Sequence, residues 1–126
     1  MRPGYICHDE RGTSAVEFAL TAPLFFMILI ALIEGALLLW TQVGLQHGAE
    51  MAARCTTIDT GTCGSPAQTQ SYAAQQSYGL NPPPSTFTVS ATSCGNQVTA
   101  NYPFPLLSTY FGMTSLQISA QSCFPT

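Results

Sequence analysis

Histidine and carboxylate side chains are the first candidates for chemistry in this sequence, and it has few of them. The two histidines are His8 and His47, and Glu50 lies three residues after His47. A catalytic histidine needs a nucleophile or a carboxylate within hydrogen-bond reach, whereas a separation of three on a helix is more typical of a surface pair. The sequence has no glycine-rich phosphate loop, metal-ligand motif or nucleophile elbow. We therefore expect a protein that is not an enzyme and that uses no cofactor or metal.

Charge is unevenly distributed along the chain. The sequence has no Lys, and its formal net charge is −3. From Thr56 onward Asp59 is the only charged residue, in a stretch rich in Ser, Thr, Gln, Asn, Gly and Pro. Nucleic-acid binding needs a basic surface, so we expect no nucleic-acid partner. A distal part of about 70 residues gains only marginal stability from burial, and domains of this size often rely on disulfides.

An apolar run from Phe18 to Trp40 precedes this polar part. As a helix its roughly 23 residues extend about 35 Å, enough to cross a hydrocarbon core of about 30 Å. A removed signal peptide has a shorter apolar core, and here Glu34 interrupts the run, so we favour a retained anchor. Arg2 and Arg11 precede the run and favour a cytoplasmic N-terminus.

The junction at the start of the apolar run carries a family resemblance. Residues 11–18 read Arg-Gly-Thr-Ser-Ala-Val-Glu-Phe, so Glu17 follows Gly12 by five positions. This arrangement resembles a type IV prepilin processing site. The continuation through Ile33-Glu34-Gly35 to Ala52-Ala53-Arg54-Cys55 resembles the TadE-like family of tight-adherence pilins and pseudopilins. Beyond Cys55 the resemblance is only general.

The resemblance implies a processing step and assembly roles for particular residues. A prepilin peptidase would cut between Gly12 and Thr13, and the Glu17 carboxylate would then meet the new Thr13 amine of a neighbouring subunit. Phe18 begins the hydrophobic segment that packs into the assembly, and Glu34 matches an acidic position of the family. From the cost of burying a carboxylate, Glu17 could instead face lipid headgroups, and Glu34 could make an intersubunit contact or extend towards water.

The five cysteines fit an exported domain once the leader is removed. Cleavage after Gly12 removes Cys7 and leaves an even set, Cys55, Cys63, Cys94 and Cys123. Four cysteines allow three pairings. Strand alternation places Cys94 and Cys123 on the same polar side of a sheet, and Cys55 and Cys63 are close in sequence, so we favour these two pairs. A metal site is disfavoured because no Cys-x-x-Cys pair exists and neither histidine is suitably spaced.

Periodicity and capping signals predict an α+β, pilin-like fold: a long helix that carries a short helix and a small antiparallel sheet. The long helix is expected from about Thr13 to about Arg54, with a bend near Pro23. Ser65-Pro66 and Gln68 predict a helix start with a capping box, ending near Tyr78 before Gly79. Strands are expected at residues 86–92, 97–104 and 115–122, with the first turn at residues 94–96.

Small residues recur every four positions late in the long helix, at Gly44, Gly48 and Ala52. Such a stripe lets another backbone approach closely. It serves either a neighbouring helix or the distal domain of the same chain. We favour the distal domain, because the stripe lies beyond Trp40, a residue type that marks the membrane interface.

These expectations combine into a domain plan and a function. Residues 1–12 form a cytoplasmic leader, residues 13–55 a helix that spans the bacterial inner membrane at about 18–40, and residues 56–126 an exported domain. The function expected is that of a minor pilin or pseudopilin in a tight-adherence type IV pilus that acts in surface attachment. Its partners would be other pilin subunits, the prepilin peptidase, the inner-membrane assembly machinery and the membrane. The alternative is a membrane-anchored binding module that is not incorporated into a pilus.

Overall fold

A computed structural model describes residues 11–107, 112 and 114–125. The chain divides into two compact units, one ending at Gly35 and one beginning at Ala36. Helix α1, Arg11–Ile58, contributes residues to both. It ends four residues later than predicted, because the hydroxyls of Thr56 and Thr57 donate to the carbonyls of Ala53 and Arg54 and the Asp59 amide continues the ladder to Cys55.

The first unit presents apolar side chains outward. Between Gly12 and Gly35 the helix continues through Pro23, and large side chains such as Leu20 and Leu32 are at least 70% exposed. By length and composition α1 is the one helix in the described ranges able to cross a membrane, and only 6% of its most apolar window is buried within the protein. The protein's own core therefore does not cover these side chains, which is compatible with a single-pass anchor.

The second unit contains a three-stranded antiparallel sheet in the order β1-β2-β3. The strands are β1 Phe87–Thr92, β2 Gly95–Pro105 and β3 Ser115–Phe124. Thr92 pairs with Gly95, so the turn consists of residues 93 and 94 and not of 94–96 as predicted. Gly95 belongs to the strand with φ +120°, and a Cβ there would collide with the Phe124 carbonyl. Position 95 therefore requires glycine for two reasons: the positive φ beside the turn and the close approach of the end of β3.

Two short α-helices, α2 (Thr60–Cys63) and α3 (Pro66–Gln75), and one 3₁₀ turn, Pro84–Thr86, connect α1 to the sheet. Helix α3 starts as predicted, since the Ser65 hydroxyl accepts from the Gln68 amide. In a capping box the Gln68 side chain would accept from the Ser65 backbone amide. Here it accepts from the Ser65 hydroxyl instead, so only half of the predicted capping box is formed. Helix α3 ends three residues before the predicted Tyr78, which adopts φ +48° as the chain turns.

The core lies between one face of the sheet and the two helices α1 and α3. Its strand residues alternate, as expected for a sheet with one buried and one exposed face. The core is small and alanine-rich, and it comprises Leu45, Ala49, Ala52, Ala53, Ala73, Ala74, Phe87, Val98, Ala100, Phe104, Ile118 and Ala120.

Close packing of α3 on α1 uses the stripe of small residues. A Cβ added at Gly44 would lie 3.0 Å from the Ser77 carbonyl oxygen. One added at Gly48 would lie 2.5 Å from Ser77 Oγ and 2.6 Å from the Ala73 carbonyl oxygen. Ala52 is fully buried. The prediction that the stripe packs against the distal domain of the same chain is confirmed.

Gly48→Ala tests this contact. We expect the free energy of unfolding of the purified full chain to fall by about 1–2 kcal/mol, because overpacking outweighs the gain of about 1 kcal/mol in helix propensity. Thermal unfolding in detergent, followed by circular dichroism, measures the change. Gly35→Ala is the matched control, since a Cβ there meets nothing within 4 Å. Equal melting temperatures for the two variants would contradict close packing at Gly48.

Candidate functional site

The predicted cleavage site lies in the first turns of α1. Gly12 and Thr13 are both exposed. A Cβ added at Gly12 meets nothing within 4 Å, so neither packing nor backbone conformation within the described residues demands glycine at this position. Cleavage between Gly12 and Thr13 stays a prediction.

Glu17 and Phe18 are exposed on the same helix, with 70% of the Phe18 side chain accessible. The Glu17 backbone carbonyl accepts from the Thr21 hydroxyl. Its carboxylate forms no hydrogen bond or ion pair with the residues that the structure describes. An amine from a neighbouring chain would find this carboxylate accessible, and the assembly role of both residues stays a prediction.

Glu34 differs from Glu17 in its environment. It is 8% exposed, and it is the only buried residue in the described part of the first unit. The apolar side chains around Glu34 are exposed, whereas Glu34 itself is buried. Its carboxylate is therefore not a solvated surface charge. Its predicted intersubunit contact and the alternative extension towards water stay predictions.

Two disulfides close the second unit. Cys55 bonds to Cys63 with a Cα–Cα distance of 5.7 Å, and Cys94 bonds to Cys123 at 6.3 Å. These are the two pairs that strand alternation and proximity favoured. The first connects the end of α1 to α2, and the second connects the β1–β2 turn to the end of β3. The Thr92 hydroxyl lies 2.9 Å from Cys94 Sγ beside the second bond.

Asp59 caps α2, a role that the sequence reading missed. Its carboxylate accepts from the amides of Gly61 and Thr62 and, at 2.6 Å, from the Thr62 hydroxyl. The Thr62 hydroxyl, followed by the two amides, lowers the pKa of this carboxyl below its ordinary 3.8. An Asp directly before Thr-Gly-Thr is an N-cap signal and could have predicted a helix inside the Cys55–Cys63 loop.

Two glutamines of α1 attach the helix to the outer edge of the sheet. The side-chain amides of Gln42 and Gln46 donate to the backbone carbonyls of Ser119 and Gln121 on β3, at 3.1 and 3.2 Å. Alternate carbonyls of an edge strand point away from the sheet, so these bonds cover groups that would otherwise invite another strand. The spacing of four between the glutamines was visible in the sequence, but their partners were not.

His47 makes contacts other than the predicted surface pair. Its Nδ1 donates to the Gln76 carbonyl at 2.8 Å, and its ring stacks on Tyr78 with centroids 4.2 Å apart. Glu50 accepts instead from Gln46. A His47–Glu50 pair is therefore not formed, because the end of α3 holds the imidazole. In the described ranges no group of three metal-ligating side chains occurs.

The described residues define an α+β protein with a long apolar helix that is compatible with single-pass anchoring, and with a small disulfide-bonded unit. The TadE-like protein family model matches residues 12–54 of the chain, a stretch contained in α1. The resemblance predicted from the sequence is thus confirmed over this stretch. No curated protein and no solved structure matches the chain.

Loss of the Asp59 cap should change stability in a pH-dependent way. Since the pKa of Asp59 is lowered on folding, the stabilisation is fully present above its unfolded pKa near 3.8 and is lost as pH falls through the lower folded value. Asp59→Ala should therefore lower the melting temperature at pH 7, and the difference from the wild type should shrink below pH 4. Asp59→Asn, which caps without titrating, is the control. A difference that stays constant from pH 7 to pH 2.5 would contradict the ionised cap.

Proposed function

We propose that this protein belongs to the TadE-like family and is a minor pilin or pseudopilin of a tight-adherence type IV pilus, with a role in surface attachment. The match of the family model to residues 12–54 carries the proposal. It covers the segment in which Gly12, Glu17 and the outward apolar side chains of α1 occur together. The helix would be retained after processing and would pack among other pilin helices.

The exposed face of the first unit supports a role in assembly. Apolar side chains such as Phe18 and Leu24 are more than 60% exposed, and burial of such side chains in lipid or between helices contributes about 25 cal/mol per Å² of apolar surface. The accessible Glu17 carboxylate would pair with the Thr13 amine of a neighbour. In an apolar surrounding each of these charges is costly without the other.

The disulfides support export of the second unit. Both bonds need an oxidising compartment, and the single Asp59 charge after Thr56 makes this part unlike a cytosolic domain. We place the N-terminus in the cytoplasm, the helix in the bacterial inner membrane and the distal unit in the periplasm or outside the cell. The partners are the prepilin peptidase, other pilin subunits and the inner-membrane assembly machinery.

A second candidate is a membrane-anchored binding module that stays outside the pilus. It is favoured by one observation: the unit beginning at Ala36 has its own core and both disulfides. Such a unit could fold and bind a partner whether or not α1 enters a filament. Cleavage after Gly12 and incorporation into a pilus are expected of the pilin and not of the binding module.

Cleavage after Gly12 is the first expected outcome. N-terminal sequencing of the membrane-purified protein should begin at Thr13, and the intact mass should correspond to residues 13–126 less four hydrogens for two disulfides. Replacement of Gly12 by Leu should leave the precursor uncut without disturbing the fold, because a side chain there meets nothing nearby. A mature chain that begins after Ala49 would show that α1 is removed as a signal peptide and would exclude the pilin.

Glu17→Gln should impair assembly but not folding. Loss of one partner of a desolvated ion pair costs about 2 kcal/mol or more, so crosslinking to other pilin subunits should fall by about tenfold or more. Processing, abundance and disulfides should be unchanged, as intact mass and immunoblotting would show. Glu17→Asp, which keeps the charge, should retain part of the crosslinking. Wild-type crosslinking and pilus production in the Glu17→Gln strain would contradict the assembly role.

A further inference from the structure

An open cleft of about 310 Å³ lies in the second unit beside α1, and the proposed assembly role does not use it. One wall is the outward side of α1, and the other is the turn that follows α3. The residues that line it are Gln42, Val43, Gln46, His47, Glu50 and Tyr78.

Three side chains of this cleft, Gln42, Gln46 and His47, already donate hydrogen bonds within the protein. The amides of Gln42 and Gln46 donate to carbonyls of β3, and Gln46 donates also to Glu50. The Nδ1–H of His47 donates to the Gln76 carbonyl. What the cleft presents to a partner is one negative charge, the exposed Glu50 carboxylate.

Tyr78 adds a fixed aromatic surface. Its backbone has φ +48°, a conformation that is costly for a bulky residue and persists only where the surroundings enforce it. The stack on His47, with rings 27° from parallel, holds the side chain in place, and 52% of the residue is still exposed. A rigid, half-exposed tyrosine loses little conformational entropy on binding, which is typical of interface anchors.

We propose that this cleft binds an arginine or lysine side chain of a different protein. The cation would form an ion pair with Glu50 and lie against the Tyr78 ring, the two interactions that a guanidinium or ammonium group makes best. Charge complementarity carries the inference, since the described lining residues offer a carboxylate and an aromatic face and include no Lys or Arg.

The composition of the chain indicates why the partner is not a second copy. The sequence has no Lys, and Arg2 and Arg11 lie in the leader that the proposed function removes; in this respect the inference rests on that function. The remaining cation, Arg54, is placed 6.0 Å over the Phe124 ring of its own chain. The other positive group of a mature neighbour, the Thr13 amine, is paired with Glu17 under the proposed function. Both groups are thus engaged elsewhere, which favours a different protein as the source of the cation.

Site-specific photocrosslinking in the native cells tests the proposal. A photoreactive residue at Val43, which lines the cleft, should give an adduct with another protein, and mass spectrometry should place the link beside an Arg or Lys. The same residue at Ile58, which is exposed but outside the cleft, should not give this adduct. An adduct with lipid or with a second copy of this chain would overturn the proposal, as would the absence of an adduct.

Variants then test the chemistry of the contact. Glu50→Lys should reduce the adduct at least tenfold, because like charges meet, whereas Ser71→Lys on the exposed face of α3 should not. Tyr78→Leu should reduce it about two- to fivefold. Replacement of the identified partner cation by Glu should restore the adduct in Glu50→Lys. Equal effects of Glu50→Lys and Ser71→Lys, or no restoration, would overturn the proposal.

The same samples separate this inference from the proposed function. Intact mass shows whether each variant retains both disulfides and begins at Thr13. A Thr13 start with normal pilus assembly and no cleft adduct would remove the cleft proposal alone. A chain that starts elsewhere but still gives the charge-dependent adduct would remove the pilin proposal and leave the binding site.

Discussion

The close approach of α3 to α1 is the contact from which the rest of the second unit follows. At Gly48 the α1 surface is flat enough for Ala73 and Ser77 to come within van der Waals distance of the helix backbone. Phe87, at the start of β1, packs into the same place and is fully buried. A side chain at position 48 would collide with Ser77 and Ala73 and push the layers apart.

The same contact positions the polar groups on the surface. Because α3 ends against Gly44, the Gln76 carbonyl and the Tyr78 ring lie beside His47, and the imidazole is held there instead of pairing with Glu50. Gln42 and Gln46, which line the same cleft as His47, cover the edge of β3. One helix thus supplies part of the core, protects the sheet edge and forms a wall of the cleft that contains Glu50.

Stability in the polar distal part comes from covalent and local interactions as much as from burial. From Thr60 to the C-terminus there is no charged side chain, so ion pairs cannot help, and the core consists mainly of small residues. The disulfides restrict the unfolded chain at both ends of this part, and the Asp59 and Ser65 caps satisfy the amides at the starts of α2 and α3. Such a surface also lacks the charge that normally keeps protein surfaces apart, which suits a protein that acts by association.

The sequence determined the features that depend on local order and composition. The apolar length of α1, the Ser65 cap, the alternation of the strands and the favoured cysteine pairs all follow from short-range periodicity and from even counting of cysteines. Gly12 and Glu17 were visible because the family pattern is itself a local spacing. Boundaries were less well determined: the end of α3 and the position of the first turn depend on Ser77 meeting Gly44 and on Gly95 meeting Phe124.

Only the tertiary structure decided which distant groups meet. Gln46 and Gln121 are 75 positions apart, and His47 and Gln76 are 29 apart, so no periodic pattern relates them. The sequence made a His47–Glu50 pair the natural reading because both lie on one helix face, but a carbonyl delivered by another helix offers the imidazole a partner at 2.8 Å. Local spacing sets which face a side chain occupies, whereas its partner depends on the packing of elements that are remote in the chain.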